Sequence, residues 1–338
     1  MRTTSPTIIA ISAAMLGAGA AHAQTPEAFF KDKTIRIMVG HSAGGGFDAY
    51  ARLAAEMLKK HVPGIAGAVV ENKPGGGGLV AAAFFYAVGT KDGTMMASFP
   101  EQLANTQVLE PGIAKWKVEE MRYVGSFAPA NSGLLLRRGA PVKSIEEMKT
   151  TESTVGCAGV TSQGYQYPAM LKNLAGYKFK MVCGYPGSPE YLLALEKGEV
   201  DVASNAWNAL RITHPRQIAS GEVILFAQGG LTRDPEIKDV PLLQDLVEDA
   251  DAKRAIAFAS SGAAIGRSLL LPPGVPEDRV AYLRSVFDKM VRDPDMIATA
   301  KQRQLTLNPT SGADVDKIVK DILGAPKELV ERAAVSMK

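Results

Sequence analysis

The sequence predicts a two-lobed α/β protein in which each lobe is a mostly parallel sheet flanked by helices, with a ligand cleft between the lobes. The 338-residue chain is longer than one hydrophobic core usually organises. Strand-like and helix-like runs alternate along it, and the alternation restarts after Val124. Hydrophobic residues at 46% and charged residues at 22% are typical of a globular chain rather than a disordered one.

The first 23 residues have the pattern of a cleavable export signal. Arg2 precedes an apolar run over residues 8–21, and Ala21-His22-Ala23 is a small-x-small cleavage pattern. The run is shorter than the roughly 20 apolar residues that a membrane span needs. No cysteine follows the cleavage site, which argues against a lipid anchor. We therefore expect cleavage after Ala23 and export to the periplasm.

In chain order, the first lobe opens with a βαβαβ pattern. Short apolar runs predict strands at residues 34–39, 68–71 and 95–99. Periodic apolar positions predict helices at residues 47–60 and 79–88. Such an alternation favours a parallel sheet whose strands are joined by crossover helices.

The alternation then repeats with a second set of elements. Apolar runs predict strands at residues 132–136, 154–158, 179–183 and 200–204. Helices are predicted at residues 145–148, 165–174 and 190–197. We therefore expect residues 126–253 to form the second lobe, with a sheet of its own.

The last third of the chain is mostly helical. Pro276 begins one helix, Asp293-Pro294 ends that helix and caps the next, and Ser311 begins another. We expect these helices to cover the sheet of the first lobe. That lobe is then discontinuous and comprises residues 24–125 and 254–338.

Charge and metal-ligating residues narrow the possible partners. The formal net charge is +3 and no basic tract is present, which argues against nucleic acid or an anionic membrane as partner. After the leader the histidines are His41, His61 and His214, and with two cysteines they form no metal-ligand cluster. We expect neither a metal nor a cofactor.

The two cysteines, Cys157 and Cys183, each lie in an apolar run that predicts a strand. We interpret them as buried thiols that behave as small hydrophobic side chains. A disulfide is the alternative in an oxidising compartment, since the geometry of a cysteine pair cannot be deduced from its spacing.

Two glycine-rich loops join strands to helices in the first lobe. Glycines let a ligand approach the backbone closely, and the first N–H groups of a helix lack intrahelical partners. Helix starts of this kind favour anions, and ligands of α/β sheets bind beyond the carboxyl ends of the strands. The predicted ligand-binding residues in these loops are Ser42, Ala43, Gly44, Gly45, Gly46 and Phe47, together with Gly75, Gly76, Gly77 and Gly78.

The second lobe repeats this arrangement with hydroxyl groups. We predict Thr161 and Ser162 as hydrogen-bond donors to a ligand, with Tyr165 at the start of the following helix. Gly187 and Ser188 complete the predicted site, although Ser188 before Pro189 also suits a helix N-cap. If the lobes face each other, four helix starts converge on one cleft.

Asp48 and Arg52 also invite a functional interpretation. With Glu56 and Lys60 they are spaced by four along one helix and alternate in sign. Such a pattern predicts ordinary ion pairs on an exposed helix face. We therefore interpret these four residues as structural.

A rival pattern is Gly40-His41-Ser42-Ala43-Gly44, which matches the G-x-S-x-G nucleophile elbow. It predicts a secreted serine esterase with Ser42, Asp201 and His214 in chain order. However, the motif follows the first strand rather than several, and no H-G-G-G segment lies upstream. The hydrolase stays the alternative, and we expect no catalytic residues.

At these loops the sequence resembles the Bug family, the substrate-binding components of tripartite tricarboxylate transporters. The matching segments run in order over nearly the whole chain after the leader. They are residues 39–52 (G-G-x-x-D-x-x-A-R), 70–78 (E-N-x-P-G-x-G-G), 91–94, 156–162, 184–187 and 271–276. His41 with Ser42, and residues 183–187, depart from the commoner pattern, so citrate is not assumed as the ligand.

The resemblance implies a type II periplasmic-binding fold that closes around its ligand. It also implies that loop N–H groups of the first lobe hold a carboxylate, while the second lobe chooses the rest of the ligand. We therefore expect a monomeric, non-enzymatic receptor for a small di-, tri- or aromatic carboxylate, which it hands to the membrane components of the transporter. Delivery to a sensor kinase is an alternative that the sequence leaves open.

Overall fold

The structure is a computed structural model that describes residues 25–159 and 162–338. The expected export signal at residues 1–23 and the predicted ligand-binding Thr161 lie outside the described residues. None of the helices in the described part has the length and apolar character needed to cross a bilayer.

Eleven strands are seen in the described part of the chain. They are β1 (Thr34–Val39), β2 (Gly67–Asn72), β3 (Met95–Ser98), β4 (Arg122–Ser126), β5 (Ser132–Arg137), β6 (Ser153–Cys157), β7 (Phe179–Cys183), β8 (Val202–Ala206), β9 (Val223–Gly229), β10 (Ser268–Leu271) and β11 (Thr310–Ser311).

The same residues contain thirteen α-helices. They are α1 (Pro26–Phe30), α2 (Gly46–His61), α3 (Leu79–Val88), α4 (Leu103–Leu109), α5 (Gln163–Ala175), α6 (Ser188–Lys197), α7 (Trp207–Thr213), α8 (Pro215–Ser220), α9 (Ala250–Ser260), α10 (Glu277–Met290), α11 (Pro294–Gln302), α12 (Gly312–Leu323) and α13 (Lys327–Ser336). Short 3₁₀ turns lie at Gly76–Gly78, Val118–Glu120, Glu147–Lys149, Pro235–Ile237, Leu243–Leu246 and Ser261–Ala264.

The first sheet has six strands in the order β11-β4-β10-β3-β1-β2. β1 pairs in parallel with β2 and β3, whereas β10 is antiparallel to both β3 and β4. The chain leaves this sheet after β4 and returns at β10, so the sheet is built from two separate stretches of sequence. α10 and α12 pack against β4, as expected for the helices of the last third.

The second sheet has five strands in the order β7-β6-β8-β5-β9. β6 is parallel to β7 and β8, and β5 is antiparallel to β8 and β9. Both sheets are therefore mixed, with a parallel half built from crossover units. Among the antiparallel strands, β4, β5 and β10 directly flank the segments by which the chain passes from one sheet to the other.

Most predicted elements are present within one or two residues of their expected ends. The short helix predicted at residues 145–148 is a 3₁₀ turn at Glu147–Lys149, in which the Thr150 N–H donates to the Glu147 carbonyl at 3.0 Å. The strand predicted at 200–204 begins two residues later, because Gly198 ends α6 in the left-handed conformation and Glu199 and Val200 still bond to the end of that helix. Asp293 and Ser311 cap α11 and α12 as predicted.

The interpretation of the cysteines as free thiols is wrong. Cys157 and Cys183 are directly opposed at the ends of β6 and β7, with Cα atoms 4.5 Å apart, and they form a disulfide. Sequence could not decide this, because the pairing depends on which two strands are neighbours in the sheet.

The two sheets are joined by two chain segments that pair with each other. The Phe127 N–H donates to the Arg267 carbonyl (2.8 Å), the Arg267 N–H to Ala128 (2.9 Å), and the Ala130 N–H to Ala263 (2.9 Å). Gly266, in the left-handed region at φ +56°, allows this approach, because a Cβ there would lie 1.9 Å from the Ala128 carbonyl oxygen. One buried apolar cluster includes members from both sheets, such as Ala97 of β3 and Leu134 of β5.

We predict that Gly266→Ala destabilises the protein far more than Gly176→Ala. Both glycines have positive φ, which costs an alanine about 1 kcal/mol. Only Gly266 has backbone in the way of a Cβ, and such overpacking adds about 1–3 kcal/mol. Urea unfolding of the two variants measures the difference, and equal losses would contradict the close approach at the crossing segments.

Candidate functional site

The two glycine-rich loops of the first sheet lie side by side. A Cβ on Gly40 would lie 2.9 Å from the Cα of Gly78, so the loop after β1 touches the loop that precedes α3. Gly78 has φ +93° and would place a Cβ 2.8 Å from Pro100, which follows β3. The ends of three neighbouring strands therefore form one edge, as predicted.

Asp48 holds the first loop in place and is buried, with only 3% of its surface exposed. Its carboxylate accepts hydrogen bonds from the Gly44 N–H (2.9 Å), from Arg52 Nε (2.8 Å) and from Asn72 Nδ2 (3.0 Å). The same Asn72 amide donates to the carbonyl of His41 at 2.9 Å. Through these contacts one carboxylate fixes the loop after β1 and the residue that begins the loop after β2.

Burial raises the pKa of Asp48, but the hydrogen bonds from Arg52, Gly44 and Asn72 outweigh it and leave the pKa below its ordinary value. Asp48 is therefore ionised at neutral pH. Its charge makes each of these bonds stronger than a bond between neutral groups.

The prediction of an exposed, self-paired charged stripe on α2 is wrong. Only Asp48 and Arg52 pair with each other, whereas Glu56 binds Arg303 (2.9 Å) and Lys60 binds Asp293 (2.7 Å). These partners lie on or next to α11, which packs against α2. A periodic charge pattern cannot show which helix will lie beside it.

The start of α2 presents free N–H groups. Gly45 is the N-cap and offers no side chain, so the N–H groups of Gly46 and Phe47 have neither a side-chain cap nor an intrahelical acceptor. Ser42, Ala43 and Gly44 are exposed and the next three residues are partly buried. This end of α2 therefore offers a positive, donor-rich surface.

α7, which follows β8 of the second sheet, contacts the start of α2. A Cβ on Gly46 would lie 3.8 Å from Ala209 Cβ, 3.8 Å from Arg267 Nε and 3.9 Å from Asn208 Oδ1. The first residue of α2, a residue of the crossing segment and two residues of α7 thus meet at one point.

Arg267 is the centre of this junction and is 2% exposed. We call the first sheet with its helices the first unit, and the second sheet with its helices the second unit. The Arg267 guanidinium donates to Glu101 (3.1 Å) in the first unit and to Asn208 (3.0 Å) on α7 of the second unit. It also lies 4.0 Å from the centre of the Phe47 ring, a cation–π contact. Sequence reasoning did not select Arg267, Glu101 or Asn208, because they stand in no local motif and meet only in the folded chain.

Three buried polar atoms at this junction have no hydrogen-bond partner among residues 25–159 and 162–338. They are Arg267 Nε, Asn208 Nδ2 and His41 Nδ1. Buried polar groups are normally paired, and an unpaired one costs about 1–3 kcal/mol. These three atoms lie beside the uncapped start of α2, so the junction has several hydrogen-bonding groups that the described residues leave unused.

His41 is a neutral member of the junction. Its ring stacks on Phe47 with centroids 4.5 Å apart and planes 5° apart. Burial, together with the nearby Arg267 charge, lowers the pKa of His41 to about 4. The positive charge at neutral pH is therefore supplied by Arg267 and the end of α2, not by the imidazole.

The loops of the second sheet are only partly oriented toward this junction. The Ser162 hydroxyl donates to the Gly159 carbonyl at 2.6 Å, so it closes its own turn. Tyr165 is partly buried on the first turn of α5. Burial raises the pKa of Tyr167, two residues further along that helix, and the nearby Glu101 charge adds to this rise. α5 therefore begins near the first unit.

The loop before α6 is tied to its own unit. Gly187, not Ser188, is the N-cap of α6, so Ser188 is the first residue of the helix and Pro189 the second. Cys157 and Cys183, the residues at the base of both second-unit loops, are joined by the disulfide. This bond holds the two loops at a fixed separation.

The esterase interpretation of the G-x-S-x-G pattern is wrong. Ser42 is exposed, while the Asp201 carboxylate accepts from Thr154 (2.8 Å) and Arg137 (3.1 Å). His214 instead lies against Thr213 (2.6 Å) and Glu196 (3.4 Å). Both would-be partners of the serine are therefore engaged elsewhere in the second unit.

A family model and known proteins match this chain. The model for the tripartite tricarboxylate transporter family receptor matches residues 50–335. The chain is 28% identical over 251 residues to the UPF0065 protein in the gbd 5' region of Cupriavidus necator. The aligned residues cover 70% of this chain and 72% of that protein.

Two solved structures share the fold. The periplasmic binding protein BugD has a TM-score of 0.69 and 21% identity over 90% of this chain and 99% of that one. MatC from Rhodopseudomonas palustris with bound malate has a TM-score of 0.66 and 20% identity over 90% of this chain and 99% of that one. The predicted fold class and family resemblance are confirmed.

We predict that Asp48→Asn loosens the first loop and lowers the free energy of unfolding by about 2 kcal/mol. The substitution removes the charge from three buried hydrogen bonds and points an NH₂ group at a donor. Amide hydrogen exchange at Gly44 should accelerate in parallel. Asp245→Asn, which breaks an exposed pair with Arg233, is the control and should change stability by less than about 1 kcal/mol.

We predict that His41 makes the protein less stable in mild acid. Its folded pKa of about 4 lies below the unfolded value of 6.5, so the unfolded chain binds the extra proton as pH falls through this window. The loss is complete near pH 4 and amounts to about 3 kcal/mol. His41→Phe keeps the ring stack without the titration, so urea unfolding between pH 4 and 7 should show a smaller loss; equal losses would refute the assignment.

Proposed function

We propose that this chain, which belongs to the tripartite tricarboxylate transporter receptor family, captures a small carboxylate at the junction of α2, α7 and Arg267. It then passes the ligand to the membrane components of such a transporter. The family consists of binding receptors, so the expectation of a receptor rather than an enzyme is confirmed.

One observation carries the proposal. The uncapped start of α2 and the buried guanidinium of Arg267 lie within van der Waals reach of each other, beside Asn208 from the second unit. Backbone N–H groups at a helix start bind carboxylates, and the unpaired Nε of Arg267 adds a charge-assisted hydrogen-bond donor beside them. The donors come from both units, so a ligand held there draws the units together.

The charge balance of the junction favours an anion of modest charge. Arg267 is paired with Glu101, so the pair adds no net charge. Anion affinity then comes mainly from the N–H groups of the two glycine-rich loops. These are the loops that the sequence analysis predicts to bind the carboxylate. The related MatC structure, which holds malate, supports a carboxylate as the class of ligand.

The full set of proposed ligand contacts follows the sequence prediction. In the first unit it comprises Ser42, Ala43, Gly44, Gly45, Gly46, Phe47 and residues 75–78. In the second it comprises Thr161, Ser162, Tyr165, Gly187 and Ser188. We add His41, Asn208 and Arg267, because their buried polar atoms gather at the junction.

Receptors of this family are periplasmic binding proteins. We propose that residues 1–23 are the export signal, cleaved after Ala23, and that the mature receptor is a monomer. The lobes are then residues 24–125 with 254–338, and residues 126–253, joined at the paired segments around Phe127 and Arg267.

We predict that Gly45→Asp abolishes carboxylate binding without unfolding the protein. Gly45 has φ −84° and nothing closer than 3.8 Å to a built Cβ, so a side chain fits. Aspartate is a favoured N-cap, but its charge would occupy the N–H groups that a ligand carboxylate needs. Gly45→Ser is the matched neutral control.

The measurement is a thermal-shift and calorimetric panel of malate, citrate, adipate and glutamate. A ligand at 100 times its Kd should stabilise the wild type by about 2.7 kcal/mol. We expect at least a hundredfold weaker binding in Gly45→Asp and less than a tenfold change in Gly45→Ser. Undiminished binding in Gly45→Asp would place the carboxylate elsewhere.

A further inference from the structure

A cavity that none of the glycine-loop residues lines lies between α7 and α11. It has a volume of about 590 Å³ and is walled on one side by Trp207, Arg211 and Glu236 and on the other by Ile297, Lys301 and Leu305. None of the proposed carboxylate-binding residues lines it. Its size falls within the range of small-molecule sites.

The cavity and the carboxylate junction use different residues of α7. Asn208 and Ala209 contact the start of α2, whereas Trp207 and Arg211, one turn apart, line the cavity. A molecule in this cavity therefore need not compete for the α2 N–H groups.

Arg211 gives the cavity its specific polar feature. Its guanidinium donates to the Glu236 carboxylate and to the Gln304 backbone carbonyl. Its Nε is buried and has no acceptor within the described part of the chain. Gln304 has φ +56°, an uncommon conformation for a residue other than glycine, and its carbonyl is the one that meets Arg211.

The other walls decide what kind of molecule fits. Trp207, Leu305 and Ile297 supply apolar surface, and Ile297 is 49% exposed although it is a large hydrophobic residue. Lys301 is exposed and makes no ion pair with any residue in 25–159 or 162–338. With Arg211 positive and Glu236 negative, Lys301 leaves the cavity with one uncompensated positive charge.

We propose that this cavity is a second ligand site, for a monocarboxylate with a compact aromatic or alicyclic body. The carboxylate binds Lys301 at the rim and the ring packs on Trp207 and Ile297. Because the walls come from both units, a bound molecule bridges α7 and α11.

The test uses cyclohexanecarboxylate as probe and Trp207 as reporter. The chain has two tryptophans, so Trp116→Phe leaves Trp207 alone. Titration should change its fluorescence with a saturable, single-site curve. Neutral cyclohexanecarboxamide should bind at least tenfold more weakly, since it cannot pair with Lys301.

Variants separate this site from the junction at α2. Lys301→Glu should weaken cyclohexanecarboxylate at least tenfold, whereas Lys320→Glu, equally exposed in the last turn of α12, should leave it unchanged. Ile297→Phe, which adds bulk to the cavity from an exposed position without adding a second tryptophan, should also abolish the signal. Gly45→Asp should leave it intact, even though that variant no longer binds at α2.

Two outcomes would overturn the proposal. One is the absence of a saturable Trp207 signal in the Trp116→Phe protein. The other is a signal that disappears in Gly45→Asp but survives in Lys301→Glu, which would assign the probe to the α2 junction. Neither outcome bears on malate or citrate binding, so the proposed receptor function is tested separately.

Discussion

The glycine-rich loop between β1 and α2 depends on one buried carboxylate. Asp48 accepts from the Gly44 N–H, from Arg52 and from Asn72, and Asn72 in turn holds the carbonyl of His41. Glycine-rich loops gain no order from side-chain packing, so an external tie must offset their entropy. The hydrogen bonds of the ionised Asp48 hold the loop in place, and they do not use the N–H groups at the start of α2.

The second organising contact is made by Arg267 at the place where the chain crosses between sheets. Its backbone pairs with Phe127 and Ala128, and its side chain joins Glu101 of the first unit to Asn208 of the second. A buried ion pair of this kind gains little net stability over an apolar pair, because desolvation offsets the attraction. The ion pair acts through its position. It holds the guanidinium beside the start of α2, where the side chain contacts both units.

α7 contacts both the start of α2 and the cavity beside α11. Asn208 and Ala209 reach the start of α2, while Trp207 and Arg211 border the cavity beside α11. A short helix can serve both because residues one turn apart share a face, whereas consecutive residues point about 100° apart. The disulfide at the ends of β6 and β7 keeps the neighbouring second-unit loops from separating.

The amino-acid sequence alone determined the α/β class, most strands and helices, the family resemblance and the glycine loops, because periodicity, caps and motifs are local properties. It missed the buried role of Asp48, the disulfide, and the junction of Glu101, Asn208 and Arg267. Each of these includes a contact between separate elements: Asp48 meets Asn72 24 positions away, the two cysteines are 26 positions apart, and Arg267 is 166 positions from Glu101. Only tertiary structure decides such contacts, since strand order and helix packing choose which distant side chains share a buried space.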